Sequence, residues 1–527
     1  MREGWDGCRG VCEMDKSINR FRIKCGNDKK QIDSASSAEN KNYKMKTIIK
    51  FTILSLLLAI GISSCTKDFE ELNTNPNAPV SVQPSLLLRQ VIYNYGEEMS
   101  YEGFVAGGLL SQHMTALDFN LFDRHALKSP QLGGNPWPIF YRNLRDNQII
   151  INQSRATPAF AVYEGPALIF KAYMTAGLTD IFGDVPYSEA FRGLEGIVEP
   201  AYDLQEDIYL QPGGILDNLD QGIAAIENYS SSIALQGDVL FQGDLDAWVR
   251  FANSLKIKAL MRISSKENVS AGLQALYDDQ NYISSNSQNA VFNFSDSEPN
   301  NFRMARLRAG DFNNFVMSET MEEVLEGLND QRVEVLFRAR GNNGNGEDFN
   351  GLLNGIDASS TSVTLADYSL AGTIFRENTG ALDANYMTAW ETNFLLAEAA
   401  ERGLITASAQ TLYETGVTQA YEYWNTALPA NYLTTDAAYA ANANDPIEQI
   451  ITQKWIASVI NGYEGWIEYR RTGFPALKTI SASFNNDLIP VRMPYPAEEA
   501  SLNAENYNVA AAATNDNDIN VPVWWDE

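Results

Sequence analysis

Along most of this chain the hydrophobic residues recur with the period of an α-helix. Phe170, Tyr173, Met174, Gly177, Leu178 and Ile181 fall at i, i+3, i+4, i+7 spacing, and Gly183 marks the stop. A second face is formed by Trp248, Phe251, Ala252, Leu255, Ala259 and Ile263, with Lys256, Lys258 and Arg262 toward the end where the helix dipole favours cations. Both stretches are expected to be core helices. Asp445-Pro446-Ile447-Glu448 supplies an N-cap, a proline at the first helical position and an acid at the third, opening a helix through Ile450, Ile451 and Trp455.

A helix pair is predicted between these regions. Trp390, Phe394, Ala397 and Ala400 share one face, Gly403 breaks the run, and Tyr413, Val417, Ala420, Tyr421 and Trp424 share the next. Alanines at close-contact positions beside aromatics resemble a tetratricopeptide unit. From about residue 285 to 380 the helical period is lost, Asn, Gly and Ser accumulate, and short alternations such as Val291-Phe292-Asn293-Phe294 appear. The expected fold class is therefore mostly α: a tetratricopeptide-like helical-repeat scaffold with an irregular, loop-rich insert containing a few short strands. Loops on a rigid scaffold are where binding groups tend to be placed.

One apolar run is of a different kind. Residues 45–65, MKTIIKFTILSLLLAIGISSC, carry Lys46 and Lys50 ahead of an apolar stretch from Phe51 to Ile60, which is too short to span a bilayer, and end in Ile62-Ser63-Ser64-Cys65. That is the pattern of a bacterial lipoprotein signal, with 45–64 removed and Cys65 lipidated, so that the protein is held on a membrane through its anchor alone. Because the signal starts at Met45, residues 1–44 are expected to be a mis-assigned, non-translated extension. Residues 65–80 read as a tether rich in Asn, Pro and acid, and 81–527 as a single domain.

Charge narrows the partners. Removing the 12 basic and 7 acidic residues of 1–64 leaves 27 Lys and Arg against 60 Asp and Glu, a net charge of −33. Phosphate backbones and anionic head groups would be repelled, so nucleic acid is not expected as a ligand, and a neutral or cationic partner fits better. Cys8, Cys12 and Cys25 precede the signal, leaving only Cys65, so no intramolecular disulfide is expected. Catalytic constellations are sparse. His113 and His125 are the only histidines, no Gly-x-Ser-x-Gly, Walker or His-Glu-x-x-His pattern occurs, and no pair among the many carboxylates is singled out for glycoside hydrolysis. The DNDIN run at 516–520 and the loop at Glu347-Asp348 offer oxygen ligands without the spacing of a calcium loop. No cofactor or metal is expected.

Eight segments in order, spread over essentially the whole processed chain, resemble the SusD/RagB outer-membrane lipoproteins of Bacteroidetes. They are FEELNTNPNAP (69–79), Trp137 with PIFYRNL (138–144), AYMTAGLTDIFGDVPYSEAF (172–191), WVRFANSLKIKALMRI (248–263), LNDQR (328–332), NFLLAEAAERG (393–403), QKWIASVINGYEGWIEYRRTGFP (453–475) and VPVWWD (521–526). LNDQR departs from the family pattern by lacking proline before the arginine, so its turn is expected to differ. The resemblance implies a non-catalytic nutrient-binding protein that faces the cell exterior and caps a TonB-dependent (SusC-like) outer-membrane transporter, with an oligosaccharide or a peptide as ligand. A helical-repeat assembly scaffold with no small ligand is the competing reading.

For a sugar binder, aromatic rings that stack on the apolar face of a pyranose and amide or charged groups that meet its hydroxyls are required. Residues 118–137, DFNLFDRHALKSPQLGGNPW, supply them among several turn formers. The candidate ligand-binding residues are Phe119, Asn120, Phe122 and Trp137, with Asp123, Arg124 and Asn135 beside them. The competing reading for Trp137 is that it starts a core helix. Arg470-Arg471 is expected to tie helix ends to nearby acids rather than to bind ligand.

Overall fold

Capping residues and apolar spacing together decide where the helices begin and which face they bury. The computed structural model describes residues 82–341, 346, 348–440, 445–480 and 482–526; Cys65 and the segments expected to be its signal and tether lie outside the described residues. Helix α1 (Pro84–Glu102) carries proline in its first turn, where the missing N–H is not needed, and buries Leu87, Leu88, Val91, Ile92 and Tyr95. Helices α2 (Trp137–Ala156), α3 (Glu164–Phe182), α4 (Ile215–Glu227) and α5 (Leu245–Arg262) stack on it in succession. The predicted stop of α3 is present: Gly183 adopts a φ of +81°, which a Cβ would disfavour. Asp244 caps α5 by accepting the Ala247 N–H at 3.1 Å, and α6 (Ser270–Asp279) packs on it.

The predicted helix pair is α8 (Ala389–Glu401) and α9 (Ala409–Tyr423), reversed at Gly403 and packed along their length. Trp390, Phe394, Tyr413, Val417, Ala420, Tyr421 and Trp424 are all buried between them and their neighbours. Gly416 lets the helices approach, since a Cβ there would sit 2.9 Å from the Phe394 ring. Helix α10 (Pro446–Ala457) starts as its sequence requires, with the Asp445 carboxylate accepting the Ile447 N–H at 2.9 Å. It leads into α11 (Glu464–Thr472).

Within 285–380 the described residues are mostly turns, with three short α-helices the sequence pattern did not single out: single turns at Ala309–Phe312 and Val333–Leu336, and the longer α7 (Glu319–Gly327), capped by Ser318. The strands pair two by two, antiparallel, and two of the three pairs join distant parts of the chain. β1 (Met114–Ala116) pairs with β5 (Phe315–Met317), β2 (Val185–Pro186) with β3 (Tyr202–Asp203), and β4 (Ala290–Asn293) with β6 (Asp383–Met387). The LNDQR motif is the bolt between this region and the helix pair. Arg332 and Asp330 are fully buried and joined at 2.6 Å, the Tyr421 and Tyr432 hydroxyls donate to Asp330 at 3.0 and 2.6 Å, and Arg332 donates to Gln453 at 2.6 Å.

The cations near the end of α5, where the dipole favours them, are also engaged by carboxylates from distant segments. Arg262 is buried and bridges Asp180 at 3.0 Å, Glu464 at 3.0 Å and Glu468 at 2.5 Å, while Lys258 meets Glu391 at 2.7 Å. Arg470 and Arg471 join the same network through Asp526 at 3.1 Å and Glu398 at 2.5 Å, the structural role expected of them. A last helix, α12 (Ala504–Ala513), precedes the carboxyl-terminal segment, where Trp525 donates to Asp180 at 2.8 Å.

Candidate ligand-binding face

The loop after α1 is held by one buried carboxylate. Asp123 accepts the Thr115 hydroxyl at 2.8 Å, the Ala116 N–H at 3.2 Å, the Gly355 N–H at 2.8 Å and the Asn354 amide at 2.7 Å. It therefore ties residues 115–123 to the far end of the insert. No cation faces it at ion-pair distance among the described residues, and burial pushes its pKa up although every hydrogen bond opposes that. Beside it the Asn120 amide donates to the Ile356 carbonyl at 2.7 Å, a second tie to the same strip.

Above this brace the chain turns outward. Phe119 takes a φ of +49°, with its N–H on the Asp118 carboxylate at 2.7 Å, and its ring is 66% exposed. A second exposed ring, Phe484, comes from a distant segment: its N–H donates to the Arg124 carbonyl at 2.7 Å, and the Arg124 guanidinium stacks over its face at 4.2 Å. Arg124 also donates to the Ala482 carbonyl at 2.7 Å, so ring and guanidinium are positioned together. Next to them a cleft of about 390 Å³ is lined by His125 to Ser129, Phe484 and Asn515 to Ile519. Phe484 at the cleft, with its oriented guanidinium and the backbone and amide groups around it, can stack on a sugar ring and satisfy its hydroxyls, and Phe119 offers a further exposed ring on the loop that carries Arg124.

The four candidate residues separate sharply. Phe119 offers a ring to solvent, whereas Asn120 has its amide nitrogen engaged beneath the loop. Phe122 is buried against Gly134, where a φ of +88° and the ring itself leave no room for a side chain. Trp137 opens α2 inside an aromatic cluster, with Tyr141 at 4.8 Å, Phe182 at 4.9 Å and Tyr495 at 6.2 Å. Neither Phe122 nor Trp137 presents a face to a ligand in this conformation, because both are drawn into the core at the foot of the loop. Asn135 is exposed, and Asp123 is the brace.

Phe484 and the 515–519 strip were not singled out as binding residues. The clue in the sequence was the run of Asn and Asp at 485–487 and 515–518, which supports positive φ: Asn515, Asp516 and Asn517 take φ values of +51°, +65° and +57°. Asn517 is a clamp and not a cation ligand, accepting the Tyr495 N–H at 2.8 Å and donating to its carbonyl at 3.0 Å. Asp348 is exposed and paired with Arg340 at 2.5 Å, while Glu347 lies outside the described residues. No group of three or more His, Cys, Asp or Glu that could hold a metal occurs among the described residues. Burial lowers His113 to about 3 and His125 to about 4; each keeps one ring nitrogen on a backbone carbonyl, Trp455 at 2.9 Å and Leu488 at 3.1 Å. Neutral imidazoles serve packing here.

A family model described as SusD-like, starch-binding associating with outer membrane, matches residues 76–496. Among solved structures, a SusD homolog from Bacteroides fragilis is similar over 85% of this chain and 100% of its own, at 24% identity and a TM-score of 0.71. A chitin-binding protein is similar over 84% of this chain and 100% of its own, at 26% identity and a TM-score of 0.70. A chitin-binding SusD homolog from Flavobacterium johnsoniae covers 84% and 97%, at 22% identity and a TM-score of 0.69. No match is found among curated proteins.

Proposed function

The chain belongs to the SusD-like family, and on that premise we propose that it is a cell-surface, lipid-anchored glycan-binding protein that caps a TonB-dependent outer-membrane transporter and delivers ligand to it. The observation that carries the glycan assignment is the pair of exposed rings, Phe119 and Phe484, held on loops braced from below by Asp123 and Arg124. Stacking on a pyranose needs rings that stay put without ligand, so that little ordering cost is added on binding. The names of two structural relatives direct the first ligand panel to chitin oligomers, followed by starch oligomers.

Anchoring is assigned to Cys65, and the tether of 65–80 would let the domain swing open and closed over its partner, with ligand trapped between them favouring the closed arrangement. The test is isothermal titration of the processed chain against neutral oligosaccharides and basic peptides, with chromatography of the recovered sugars. Affinity near the micromolar range, about 8 kcal/mol, without cleavage supports the reading. Hydrolysis defeats it, and binding only to peptides moves the ligand class to one that the acidic surface also suits.

A further inference from the structure

A second cavity lies away from this face, between α2, α3 and the 186–195 loop. It measures about 400 Å³, within the roughly 300 to 1,000 Å³ typical of small-molecule sites. None of its lining residues belongs to the loops that carry Phe119 and Phe484. Lys171 of α3 reaches into it, half-buried, with its ammonium 4.9 Å from the centre of the Tyr187 ring. Among the described residues no carboxylate lies within ion-pair distance of Lys171, in a chain whose acids outnumber its bases.

The neighbouring acids are all engaged elsewhere. Glu195 accepts from Arg192 at 2.7 Å, Glu164 from Arg155 at 2.7 Å, Asp203 from the Tyr187 and Ser188 N–H groups at 2.9 and 2.8 Å, and Asp217 from Gly213 N–H at 2.5 Å. Burial, with Arg155 nearby, lowers Lys171 to about 8, so the ammonium is held at a cost that the Tyr187 ring offsets in part and no carboxylate offsets.

The other walls complete a recognisable chemistry. Gln148 donates to the Asn152 amide oxygen at 2.9 Å, which leaves the Gln148 oxygen and the Asn152 nitrogen to face a ligand as acceptor and donor. Phe191, at a φ of +65°, stands exposed at the mouth, 6.2 Å from Tyr141. A bulky residue held there in the left-handed region is strain of the kind that collects at binding sites.

We propose that this cavity binds an acidic sugar, with the carboxylate of a uronate on Lys171, its ring against Phe191 and its hydroxyls on Gln148 and Asn152. The site is independent of the glycan reading above, since it shares no residue with that face and can stand or fall alone. It also runs against the bulk charge of the chain, which disfavours anions, so the selectivity must be local.

The probes are D-glucuronate, D-glucose as its neutral counterpart and N-acetylglycine as a carboxylate without a sugar ring, read by ligand-observed NMR on the processed chain. Lys171→Met should weaken glucuronate by about tenfold or more while Lys171→Arg retains it, and any binding of glucose, which the Phe119 face can also take, should be the same in both variants as in the parent. Should the methionine variant fold poorly, reductive methylation of the wild-type chain followed by peptide mass spectrometry supplies the same answer: glucuronate should protect Lys171 and glucose should not. Glucuronate binding that Lys171→Met leaves unchanged, or methylation of Lys171 that glucuronate leaves unchanged or that glucose slows equally, overturns the site. Protection by N-acetylglycine equal to that by glucuronate overturns the sugar assignment.

Discussion

Buried charge is handled in opposite ways in the helical half and on the loop face. Where α5, α10 and α11 meet, Lys258, Arg262, Lys454 and Arg471 interlock with Asp180, Glu391, Glu398, Glu464 and Glu468, so that each cation touches at least one carboxylate. On the loop face the buried carboxylate of Asp123 is met by neutral donors alone. The first arrangement locks helices that are far apart in the chain, whereas the second orients a loop without filling it with cations that would compete for a ligand. At these two sites rigidity is reached with and without charge compensation.

The sharpest way to break that comparison is to remove one partner of a compensated pair. Arg332→Ala leaves Asp330 buried with the Tyr421 and Tyr432 hydroxyls but no cation, and should destabilise by about 3 to 5 kcal/mol. Trp424→Ala, deep in the helix pair with its indole N–H on the Ala457 carbonyl at 3.2 Å, should cost a similar 3 to 5 kcal/mol or so. Urea unfolding monitored by circular dichroism measures both. A loss of less than about 0.5 kcal/mol, as at surface sites, would mean that these contacts do not hold the scaffold together.

Acid should separate the two regions without mutation. Burial would raise the Glu464 carboxyl, but Lys258, Arg262 and Lys454 outweigh it and hold it at about 2 against an ordinary value of 4.5. Burial is likewise outweighed at Glu398 and Glu468, chiefly by Arg471, and both are held below the usual range. A depressed folded pKa contributes stability that is fully present above 4.5 and lost as pH falls toward about 2. Asp123 has the opposite sign. Its raised folded pKa means that its ionised form costs stability, a cost relieved as pH falls through that value. Thermal melts across this interval should show the core weakening, with Glu464→Gln less sensitive to acid than the parent chain, while amide exchange at Ala116 and Gly355 does not lead the loss. Loop amides opening first would reverse the assignment.

The helical half was legible in the sequence because its signals are local. Asp445-Pro446 at the start of α10, Gly183 after α3 and the aromatic faces of α8 and α9 each follow from spacing and capping alone. The loop face was only half legible. That residues 118–137 combine turn formers with aromatics was visible, but which rings face out depends on what packs beneath them: Gly134 under Phe122, and Tyr141, Phe182 and Tyr495 around Trp137. Phe484 comes to this face through a backbone hydrogen bond to Arg124, more than three hundred residues away in sequence, and no local pattern announces such a contact.

Asp123→Asn sharpens the comparison at smaller cost. The new amide nitrogen would face the Asn354 amide in place of Oδ1, or the Thr115, Ala116 and Gly355 donors in place of Oδ2; in either pose the N–H groups of Ala116 and Gly355 keep at best an uncharged acceptor, a penalty of about 1 to 3 kcal/mol confined to the loop. Faster hydrogen exchange at those two amides, with the unfolding midpoint of the helical core little changed, is the expected outcome. A collapse of the whole fold would show that the brace serves the scaffold as well.

The smallest effect on stability should come from the residue expected to matter most for ligand. Phe119 is largely exposed, so Phe119→Ala should leave stability within about 0.5 kcal/mol of the parent, whereas Trp137→Ala should lose about 3 to 5 kcal/mol from the aromatic cluster it fills. Binding should respond in the reverse order. Loss of a stacking ring weakens a sugar by about 0.5 to 1.5 kcal/mol, roughly twofold to tenfold, and the loss should be insensitive to salt because a neutral glycan carries no charge to screen. At a temperature where both variants remain folded, Trp137→Ala should bind as the parent does, since its ring has no free face. Titration of the two variants against the same oligosaccharide decides the matter: unchanged affinity in Phe119→Ala removes that ring from the site, and weakened affinity in folded Trp137→Ala would show that the loop opens to expose the core cluster on binding.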